Sequence, residues 1–466
     1  MKDLIGSTDT TIYPDGLPLA RRRWAVLAIA LAITMAVLDG SIANIALPTI
    51  ARELHVTPAD SVWVVNAYQL VVVVSLLALS SLGEIIGYAR IYRVGVVIFG
   101  VASLACALSE TLPQLVASRV LQGIGAACIM SVNSALIRFC YPRAELGKGI
   151  GVIALVVAAS AATGPTVASA ILSVATWHWV FAVNVPISVV TIFIAMALPL
   201  TDRASHRFDW ISAIYNALFF GGLVIGVDQL GHGISNFWRV GLTFGIAAVS
   251  GFLLVRRQLS RAAPLLPIDL LRIPIFALSI MTSICAFCAQ TLTFVTLPFL
   301  LQNVLHRGAV ETGLLMTPWP LTLVFVAPMS GRLADRYPSG LLGGIGMALF
   351  AAGLFSLAML PPDPSALNIV WRMALAGAGF GLFQSPNNRT MLSSAPPHRA
   401  GGASGMLGTA RLTGQTLGAA MVALIFNLMG GNGAHVALSV ATGLALVAMV
   451  LSSLRLTPKG KSAQSF

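Results

Sequence analysis

Two ionisable side chains lie deep inside long apolar runs of the chain. Asp39 stands about 15 residues, or roughly 22 Å of helix, beyond the start of the run at 24–47, and Arg119 lies in the run at 113–139. A carboxyl group at that depth is costly to ionise unless a cation pairs with it, so it can bind a proton on one side of a membrane and release it on the other. We therefore predict that Asp39 couples protons or a bound compound to the working of the protein. The alternative is a carboxylate that caps a helix or serves packing at the outer end of the span, which we expect to be broken near Pro48.

The composition is that of a chain embedded in a membrane. Of 466 residues, 57% are apolar and 9% are charged, against roughly 25% charged residues in soluble proteins, and the mean hydropathy is +0.87. A soluble enzyme, a disordered chain and a disulfide-stabilised scaffold are therefore poor fits. The formal charge of +12 would suggest nucleic-acid binding in a soluble protein, but here its distribution relative to a bilayer decides its meaning.

The apolar runs have the length of membrane-spanning helices. A helix needs about 20 mainly apolar residues to cross a bilayer, and fourteen runs meet this requirement with short polar breaks between them. We therefore predict an all-α integral membrane protein with about 14 transmembrane helices. The predicted spans are 24–47, 62–83, 92–109, 113–139, 149–174, 179–199, 210–230, 239–255, 275–302, 312–333, 340–361, 368–393, 403–429 and 435–455.

Basic residues divide the loops into two classes and predict the orientation of the chain. Cytoplasmic loops are rich in Lys and Arg, and this rule places both termini in the cytoplasm. The polar start followed by Arg21–Arg23 indicates a retained first helix rather than a cleaved signal peptide. The predicted outer loops hold Arg52, Arg239 and Arg307. The predicted inner loops and the C-terminal tail hold Arg90, Arg93, Arg143, Lys148, Arg203, Arg207, Arg256, Arg257, Arg261, Arg272, Arg336, Arg399, Arg455, Lys459 and Lys461.

Two pairs of residues recur at nearly the same spacing and indicate an internal repeat. Asp335 follows Glu84 by 251 residues. Arg372 follows Arg119 by 253 residues. We predict two six-helix halves with two helices inserted between them. The predicted domains are a cytoplasmic tail at 1–23, an N-terminal half at 24–199, two extra transmembrane helices and a cytoplasmic linker at 200–274, a C-terminal half at 275–455 and a cytoplasmic tail at 456–466.

Four sequence motifs resemble those of one family of transporters. In order, they are Leu38-Asp-Gly-Ser-Ile-Ala-Asn-Ile-Ala-Leu-Pro48, Arg119-Val-Leu-Gln-Gly-Ile-Gly-Ala-Ala127, Gly164-Pro165 and Trp177-His-Trp-Val-Phe-Ala-Val-Asn-Val-Pro186. They are similar to LDxTIVNxALP, RxxQGxGAA, the antiporter signature and WRWxFxxNxP of the major facilitator superfamily, and in particular of its fourteen-span drug:proton antiporters. The resemblance covers essentially the whole chain.

The resemblance implies a secondary active transporter whose two halves rock about a central cavity. It also implies a part in proton coupling for Arg119, and the alternative is a structural cation that satisfies backbone carbonyl groups of an adjacent helix. The chain departs from the family at several positions. Ser80 and Glu84 replace the Gly and Asp of the cytoplasmic signature GxLADRxGRR, and Ala168 and Ser169 replace the closing glycines of the antiporter signature.

Two groups of residues are predicted to serve gating and packing. Glu84, Asp335 and Arg336 lie at predicted cytoplasmic helix ends, where a carboxylate can contact a helix N-terminus or an Arg, hold the halves together and release them. Solvation of ordinary loop residues is the alternative. Gly164 and Pro165 are expected to let the fifth helix approach its neighbours closely and bend.

Neutral polar residues inside the spans are the candidates for a substrate cavity. An offset of 251 residues from Asp39 leads to Gln290, so the N-terminal half has a carboxylate where the C-terminal half has a neutral amide. We therefore predict that the N-terminal half handles protons while the C-terminal half shapes the cavity. The candidates are Asn44, Gln122, Gln290, Gln384, Asn387 and Asn388. For Gln384, Asn387 and Asn388, hydrogen bonding between helices beside Pro386 is the alternative.

We expect a proton-coupled exporter of amphipathic drugs or biocides, cationic ones included, in a bacterial cytoplasmic (inner) membrane. Its other partners are protons and the lipid bilayer, it binds no nucleic acid, and it works as a monomer. Cysteines in apolar runs, scattered histidines and the lack of a phosphate-binding loop predict no metal, no cofactor and no ATP-driven step. A transporter of one specific metabolite is the alternative. A membrane enzyme acting on lipid would need a polar cluster at one interface, and a channel would lack the repeat.

Overall fold

A computed structural model shows an all-α molecule. It describes residues 15–199, 201, 208–231, 237–259, 268–396 and 400–456. Most of the two predicted tails, parts of the predicted linker and several of the basic loop residues lie outside the described residues. These basic residues are Arg203, Arg207, Arg261, Arg399, Lys459 and Lys461.

Thirteen of the described helices are long and apolar enough to cross a membrane. The last, Gly402–Ser453, has 52 residues, and at about 1.5 Å per residue it would far exceed a hydrocarbon core of about 30 Å. A 3-10 turn at Gly430–Asn432 divides it in two, so the predicted count of about 14 agrees with the fold. We number the helices α1 (Leu19–Glu53), α2 (Pro58–Ile86), α3 (Tyr88–Ala107), α4 (Leu112–Cys140), α5 (Leu146–Val174), α6 (His178–Ala197), α7 (Trp210–Gly231), α8 (Phe237–Leu259), α9 (Pro274–Val304), α10 (Ala309–Leu333), α11 (Ser339–Ala358), α12 (Ala366–Ser394), α13 (Ala400–Met429) and α14 (Gly433–Ser453).

The first helix is longer than the sequence predicted. It begins at Leu19 rather than at residue 24, and it continues through Pro48 to Glu53. Because the helix is not broken near Pro48, Asp39 lies in the interior of a continuous helix. The interpretation of Asp39 as a capping carboxylate at a broken helix end is therefore wrong, and a part in helix packing stays as the alternative.

The first six and the last six helices pack in the same order. In the N-terminal half α4 packs against α2 and α3, and in the C-terminal half α12 packs against α10 and α11. Likewise α1 packs against α5 and α6, and α9 packs against α13 and α14. The predicted fold class of two six-helix halves with two inserted helices is confirmed.

Closely packed glycines show which residues of α4 and α12 correspond. A Cβ atom at Gly125 of α4 would lie 2.6 Å from the backbone nitrogen of Phe99, and one at Gly379 of α12 would lie 2.3 Å from the backbone nitrogen of Phe350. Phe350 follows Phe99 by 251 residues, and Gly379 follows Gly125 by 254. The offset is therefore 251 residues between α3 and α11 and 254 between α4 and α12.

The same comparison gives the offset for the helix that carries Asp39. A Cβ atom at Gly164 would lie 2.5 Å from Cβ of Ser41 in α1, and one at Gly418 would lie 3.0 Å from Cβ of Thr291 in α9. Thr291 follows Ser41 by 250 residues and Gly418 follows Gly164 by 254. The offset is therefore 250 between α1 and α9 and 254 between α5 and α13.

These offsets correct both pairings that the sequence spacing predicted for the ionisable residues. At an offset of 254 the counterpart of Arg119 is Met373, whereas the spacing predicted Arg372. At an offset of 250 the counterpart of Asp39 is Ala289 and not the glutamine that follows it. Both predictions missed by a single residue, because close helix packing and not the position of isolated polar residues sets the correspondence.

Both described ends of the chain lie on one face of the bundle, which we call the terminal face. There the Leu17 N–H donates to the carbonyl oxygen of Cys140, with 3.1 Å between nitrogen and oxygen. On the same face Nη1 of Arg455, just beyond α14, donates to Oγ of Ser279 near the start of α9, 2.9 Å away. We call the other end of the bundle the opposite face.

The two halves touch close to the opposite face. The hydroxyl oxygens of Thr166 in α5 and Thr317 in α10 are 3.0 Å apart. Nε2 of Gln302 at the end of α9 donates to the carbonyl oxygen of Ile45 in α1, at 3.1 Å. Gly313 of α10 lies so close to α5 that a Cβ atom on it would be 1.8 Å from Oγ of Ser169. Contact at this face must break if the halves are to separate here.

The inserted helices α7 and α8 pack on each other, and α7 lies against α2 of one half and α13 of the other. Two hydrogen bonds tie α7 to α2. Nε1 of Trp63 donates to Oδ1 of Asp228 at 2.9 Å, and Nδ2 of Asn216 donates to the carbonyl oxygen of Val74 at 2.9 Å. The insertion is thus bonded to the N-terminal half along much of its length.

Candidate functional site

Asp39 and Arg119 form an ion pair enclosed within the N-terminal half. The exposed fraction is 1% for Asp39 and 0% for Arg119. Nη1 of Arg119 donates to Oδ2 of Asp39, and Nε of Arg119 donates to the carbonyl oxygen of Val64 in α2 at 2.8 Å. Arg119 therefore pairs with the acid and also satisfies a backbone carbonyl group of a neighbouring helix. A part in proton coupling and a structural role are thus compatible for this residue.

Three neutral side chains complete the surroundings of the pair. Nε2 of Gln122 donates to Oδ1 of Asp39 at 2.8 Å and to Oγ of Ser103 at 2.9 Å. Nδ2 of Asn184, from α6, donates to Oδ1 of Asp39 at 3.1 Å. An ionised carboxylate only accepts hydrogen bonds, and every polar side chain directed at it here is a donor. We call Asp39, Ser103, Arg119, Gln122 and Asn184 the ion-pair network.

Two aromatic rings flank the cation of the network. The guanidinium carbon of Arg119 lies 4.3 Å from the ring centre of Tyr68 and 5.5 Å from that of Phe181, within the range of cation–π attraction. Tyr68 also borders the cavity between the halves. Its ring therefore separates the buried cation from that cavity.

The C-terminal half fills the equivalent positions with apolar residues. By the offsets of the repeat, Asp39, Ser103, Arg119 and Gln122 correspond to Ala289, Leu354, Met373 and Ala376, and each of these four is 0% exposed. The fold can thus be built with an apolar cluster at this place. Replacing a buried ion pair by well-packed apolar residues is often neutral or stabilising, so the need for a stable core does not account for the network.

A cavity of about 180 Å³ lies between the two halves, on the other side of Tyr68 from the network. It is bordered by corresponding positions of α1 and α9, and of the predicted cavity residues Asn44 and Gln290 line it. The corresponding pairs are Gly40 and Gln290, Ser41 and Thr291, and Asn44 and Phe294.

The other predicted cavity residues do not line this space. Gln122 belongs to the ion-pair network, and Gln384 and Asn388 are not among the lining residues. Asn387 is held between helices, since its Nδ2 donates to Oγ of Ser283 at 2.8 Å and its Oδ1 accepts from Nη1 of Arg455 at 2.7 Å. For Asn387 the alternative of hydrogen bonding within the protein is therefore the one that the structure favours.

Arg455 is a second cation that bonds several helices, and it lies half-buried just past the end of α14 on the terminal face. Its Nη2 donates to Oγ of Ser452, and it bonds Ser279 and Asn387 as described above. Burial lowers the pKa of Arg455 to about 10, so the side chain is still charged at neutral pH. It ties the ends of α9, α12 and α14 together.

One of the predicted gating residues, Asp335, has a different partner from the one expected. Asp335, after α10, pairs with Arg389 of α12, and both belong to the C-terminal half. A contact of Asp335 that holds the two halves together is therefore wrong for this structure. Arg336 is exposed, and Glu84 is half-buried in the last turn of α2.

The fifth helix supplies the closest contact between the halves. Gly164 packs on Ser41 of α1, and Pro165 lies inside a continuous α5. The carbonyl oxygen of Pro165 accepts from Oγ of Ser169 at 2.9 Å, and this turn packs directly on Gly313 of the other half. Of the two residues predicted to matter for packing, Pro165 thus lies at the junction of the halves, and Gly164 lies at the contact of α5 with α1 inside its own half.

Sequence reasoning missed Gln69, Arg411 and Gln415 of the cavity lining, together with the hydroxyl residues Ser41 and Thr291. A signal was present for Arg411, because it lies inside the predicted span at 403–429 and so meets the same criterion that selected Asp39. The two glutamines carry no such signal, since a neutral amide in a span is common at helix contacts.

Several polar atoms around the cavity have no hydrogen-bond partner within the protein. They are Oδ1 of Asn44, Oε1 of Gln69, Nε1 of Trp319 and Nε of Arg411. Buried polar atoms are usually bonded, so these atoms are available to a bound molecule. Among the residues that the structure describes, no group of three or more His, Cys, Asp or Glu side chains could hold a metal ion.

The sequence model of the Major Facilitator Superfamily matches residues 29–419. The chain belongs to this superfamily, and it is accordingly a multi-pass membrane transporter and not an enzyme.

Three relatives span most of the chain. The protein named "Uncharacterized transporter YebQ", from Escherichia coli strain K12, is 55% identical over 96% of this chain and 98% of its own. "Riboflavin transporter RibZ" of Clostridioides difficile strain 630 is 29% identical over 87% of this chain and 89% of its own. "Tetracenomycin C resistance and export protein" of Streptomyces glaucescens is 32% identical over 90% of this chain and 80% of its own.

Proposed function

We propose that this transporter exports small amphipathic compounds in exchange for protons. The observation that carries the proposal is the ion-pair network, which is present in one half of the repeat and replaced by apolar residues in the other. An ionisable pair that the fold does not require, buried at membrane depth, is best explained by a proton that binds there during transport. The relative named as a tetracenomycin C resistance and export protein supports export as the direction.

Proton binding would act through the donors around Asp39. With the carboxylate ionised, donors from α4 and α6 converge on α1. A proton on either oxygen removes the charge that Arg119 pairs with and blocks one accepting site, which weakens the attachment of α1 to α4 and α6. Arg119 would then retain its bond to the carbonyl oxygen of Val64, so the cation is still partly satisfied.

The transport cycle is proposed to be alternating access by a single chain. The halves 24–199 and 275–455 rock about the cavity, while 200–274 carries the inserted pair and the linker. The contacts near the opposite face, between Thr166 and Thr317 and around Gly313, would open in one state and close in the other. The bacterial relatives favour a bacterial inner membrane, and the basic loops favour an orientation with both termini, and hence the terminal face, in the cytoplasm.

The test uses purified protein in liposomes with an imposed pH gradient and a trapped pH-sensitive dye. Addition of dyes, biocides and metabolites one at a time is expected to trigger proton movement for amphipathic compounds. Asp39→Asn is expected to abolish that movement, because the amide cannot take up a proton. Asp363→Asn is the matched control, since Asp363 is 99% exposed in a loop.

Two results would contradict the proposal in different ways. Proton movement that survives Asp39→Asn would overturn the assignment of the coupling residue. Movement with one metabolite, and with no other amphipathic compound, would favour a transporter of a single solute, an alternative that the relative named as a riboflavin transporter also supports.

A further inference from the structure

Arg411 is a charged residue of the cavity without an acidic neighbour. It lies on α13, 11 residues or about 17 Å from the helix start at Ala400, and therefore at membrane depth. Its Nε is buried and has no hydrogen-bond partner, and its guanidinium carbon lies 5.9 Å from the ring centre of Phe287. The residues that line the cavity all belong to the described part of the chain, and none of them is acidic.

The nearest candidate to neutralise Arg411 would be Asp39, because the next residue, Gly40, lines the cavity. However, the carboxylate of Asp39 already accepts hydrogen bonds from three side chains of its own half, and only 1% of the residue is exposed. The ring of Tyr68 also stands between the network and the cavity. The positive charge of Arg411 is thus not compensated from the N-terminal half.

The fold does not require a cation at this position. By the offset of 254 between α5 and α13, Arg411 corresponds to Val157, which packs against the apolar core of the N-terminal half. An uncompensated guanidinium at membrane depth is unfavourable. A valine at the equivalent place shows that the helix packing is compatible with an apolar residue, so Arg411 is best explained by something that binds it.

Two other side chains independently indicate a ligand in the same space. Asn44 is 7% exposed and Trp319 is 1% exposed, both border the cavity, and Oδ1 of Asn44 and Nε1 of Trp319 lack partners. The rings of Phe294 and Trp319 meet edge to face with 4.9 Å between their centres, and they form an apolar wall. The cavity therefore combines a cation, neutral polar atoms and aromatic surface.

The size of the cavity limits what it can hold. Its volume of about 180 Å³ is below the range of about 300–1,000 Å³ that is typical for drug-sized ligands. A molecule with one or two fused rings and a single small polar group matches this space better than a large multi-ring compound.

We propose that the cavity binds a small aromatic anion, whose carboxylate or sulfonate group pairs with Arg411 while its rings lie against Phe294 and Trp319. This inference rests on the proposed transport function and narrows its substrate to acidic compounds. It differs from the amphipathic cations that the sequence resemblance led us to include. Guanidinium groups bind planar carboxylates and other oxyanions through paired N–H donors.

The test is equilibrium dialysis of the purified full-length protein against three probes with the same naphthalene rings. Naphthalene-1-sulfonate is an anion, 1-naphthamide is neutral and 1-naphthylmethylammonium is a cation. The wild-type protein is expected to prefer the sulfonate. Arg411→Gln is expected to weaken sulfonate binding roughly 10- to 100-fold, in keeping with the loss of one charge-assisted hydrogen bond, and to leave the amide nearly unaffected.

Two further variants make the result interpretable. Arg411→Lys keeps the charge and is expected to keep the preference for the anion, which a purely structural role of the guanidinium would not predict. Arg372→Gln is the matched control, because Arg372 lies near the opposite face and its Nη1 bonds the backbone and side chain of Asn368. Thermal unfolding is measured for every variant to check that each one is folded.

Equal affinity for the three probes, or a preference for the sulfonate that survives Arg411→Gln, would overturn the inference. Dialysis needs no proton gradient, so its result is independent of the liposome assay. A charge preference in dialysis without substrate-driven proton movement would contradict the proposed function and leave this inference standing. Substrate-driven proton movement in liposomes without a charge preference in dialysis would contradict this inference and support the proposed function.

Discussion

Arg119 and Met373 occupy the same place in the two halves of the molecule, one as the cation of a buried ion pair and the other inside an apolar cluster. Each is the eighth residue of its helix, α4 or α12, and each is 0% exposed. The packing of glycines nearby, at Gly125 and Gly379, is nearly identical. One backbone arrangement therefore accommodates either kind of side chain. The C-terminal half shows how the same helices pack without the ion pair.

This relationship predicts the outcome of transplanting the apolar set. Arg119→Met alone leaves the carboxylate of Asp39 buried without its cation, and we expect the free energy of unfolding to fall by about 3–5 kcal/mol. The fourfold variant that copies the C-terminal half should recover most of this loss, because no charge is then buried. Its substitutions are Asp39→Ala, Ser103→Leu, Arg119→Met and Gln122→Ala.

Thermal unfolding in detergent and proton movement in liposomes check this prediction together. The fourfold variant is expected to be folded but uncoupled, since nothing in it binds a proton at that site. If it were as unstable as Arg119→Met, the network would be needed for the fold, and the argument that it serves function would fail.

Tyr68 offers a second prediction, because its ring separates Arg119 from the cavity. Tyr68→Leu removes the ring, and we expect water to reach the ion pair and an imposed pH gradient to decay faster in liposomes without substrate. Tyr68→Phe keeps the ring and loses a long hydrogen bond of 3.4 Å to the carbonyl oxygen of Ala36. Its rate of decay should therefore stay close to that of the wild type. Equal decay in all three proteins would show that the ring is not the barrier.

The hydroxyl pair of Thr166 and Thr317 predicts that the halves can be locked together. In a variant whose own cysteines have been replaced, Thr166→Cys with Thr317→Cys should form a disulfide on oxidation and stop transport, and reduction should restore it. The oxygen atoms are 3.0 Å apart across the two halves, which suits the short spacing that a disulfide needs.

A control cross-link is available inside the N-terminal half. The hydroxyl groups of Ser160 and Thr34 are 3.1 Å apart, on α5 and α1, which move together if the half rocks as a unit. Cysteines at these two positions should be tolerated in the oxidised state. Loss of transport in this control as well would mean that motion within a half, and not between halves, drives the cycle.

An anionic substrate has a consequence for the driving force. Exchange of one monovalent anion for one proton moves the equivalent of two positive charges across the membrane in one direction, whereas exchange of the neutral amide moves one. A potassium diffusion potential set with valinomycin, negative on the side from which the anion leaves, should therefore accelerate transport of naphthalene-1-sulfonate more than that of 1-naphthamide. Indifference of both rates to the potential would contradict this charge balance.

The helix pattern could be predicted from the sequence because a run of about 20 apolar residues in a membrane has few alternatives to a helix. The motifs also named most of the ion-pair network, since Asp39, Arg119, Gln122 and Asn184 all belong to them. What they did not contain is the rotation of each helix about its axis. That rotation turns Gln122 and Asn184 toward Asp39, and it places Gln122 away from the cavity for which it was proposed.

The errors in the repeat have a related cause. Spacing between isolated polar residues paired Arg119 with Arg372, although the true correspondence is set by backbone contacts such as that of Gly125 with Phe99. Arg411 is a different case, because its position inside a span was visible in the sequence. Only the cavity shows that Arg411 has no acidic partner there, and so what kind of molecule would suit it.

The hydrogen bonds from α7 to α2 make the two sides of the bundle unequal toward lipid. Because α7 lies across the junction of α2 and α13, a molecule dissolved in the bilayer meets a covering helix on that side. At the junction of α5 and α10 it meets the two halves themselves. A compound that enters from the hydrocarbon layer would therefore have to pass between α5 and α10, in a state in which the contact of Gly313 with Ser169 is broken.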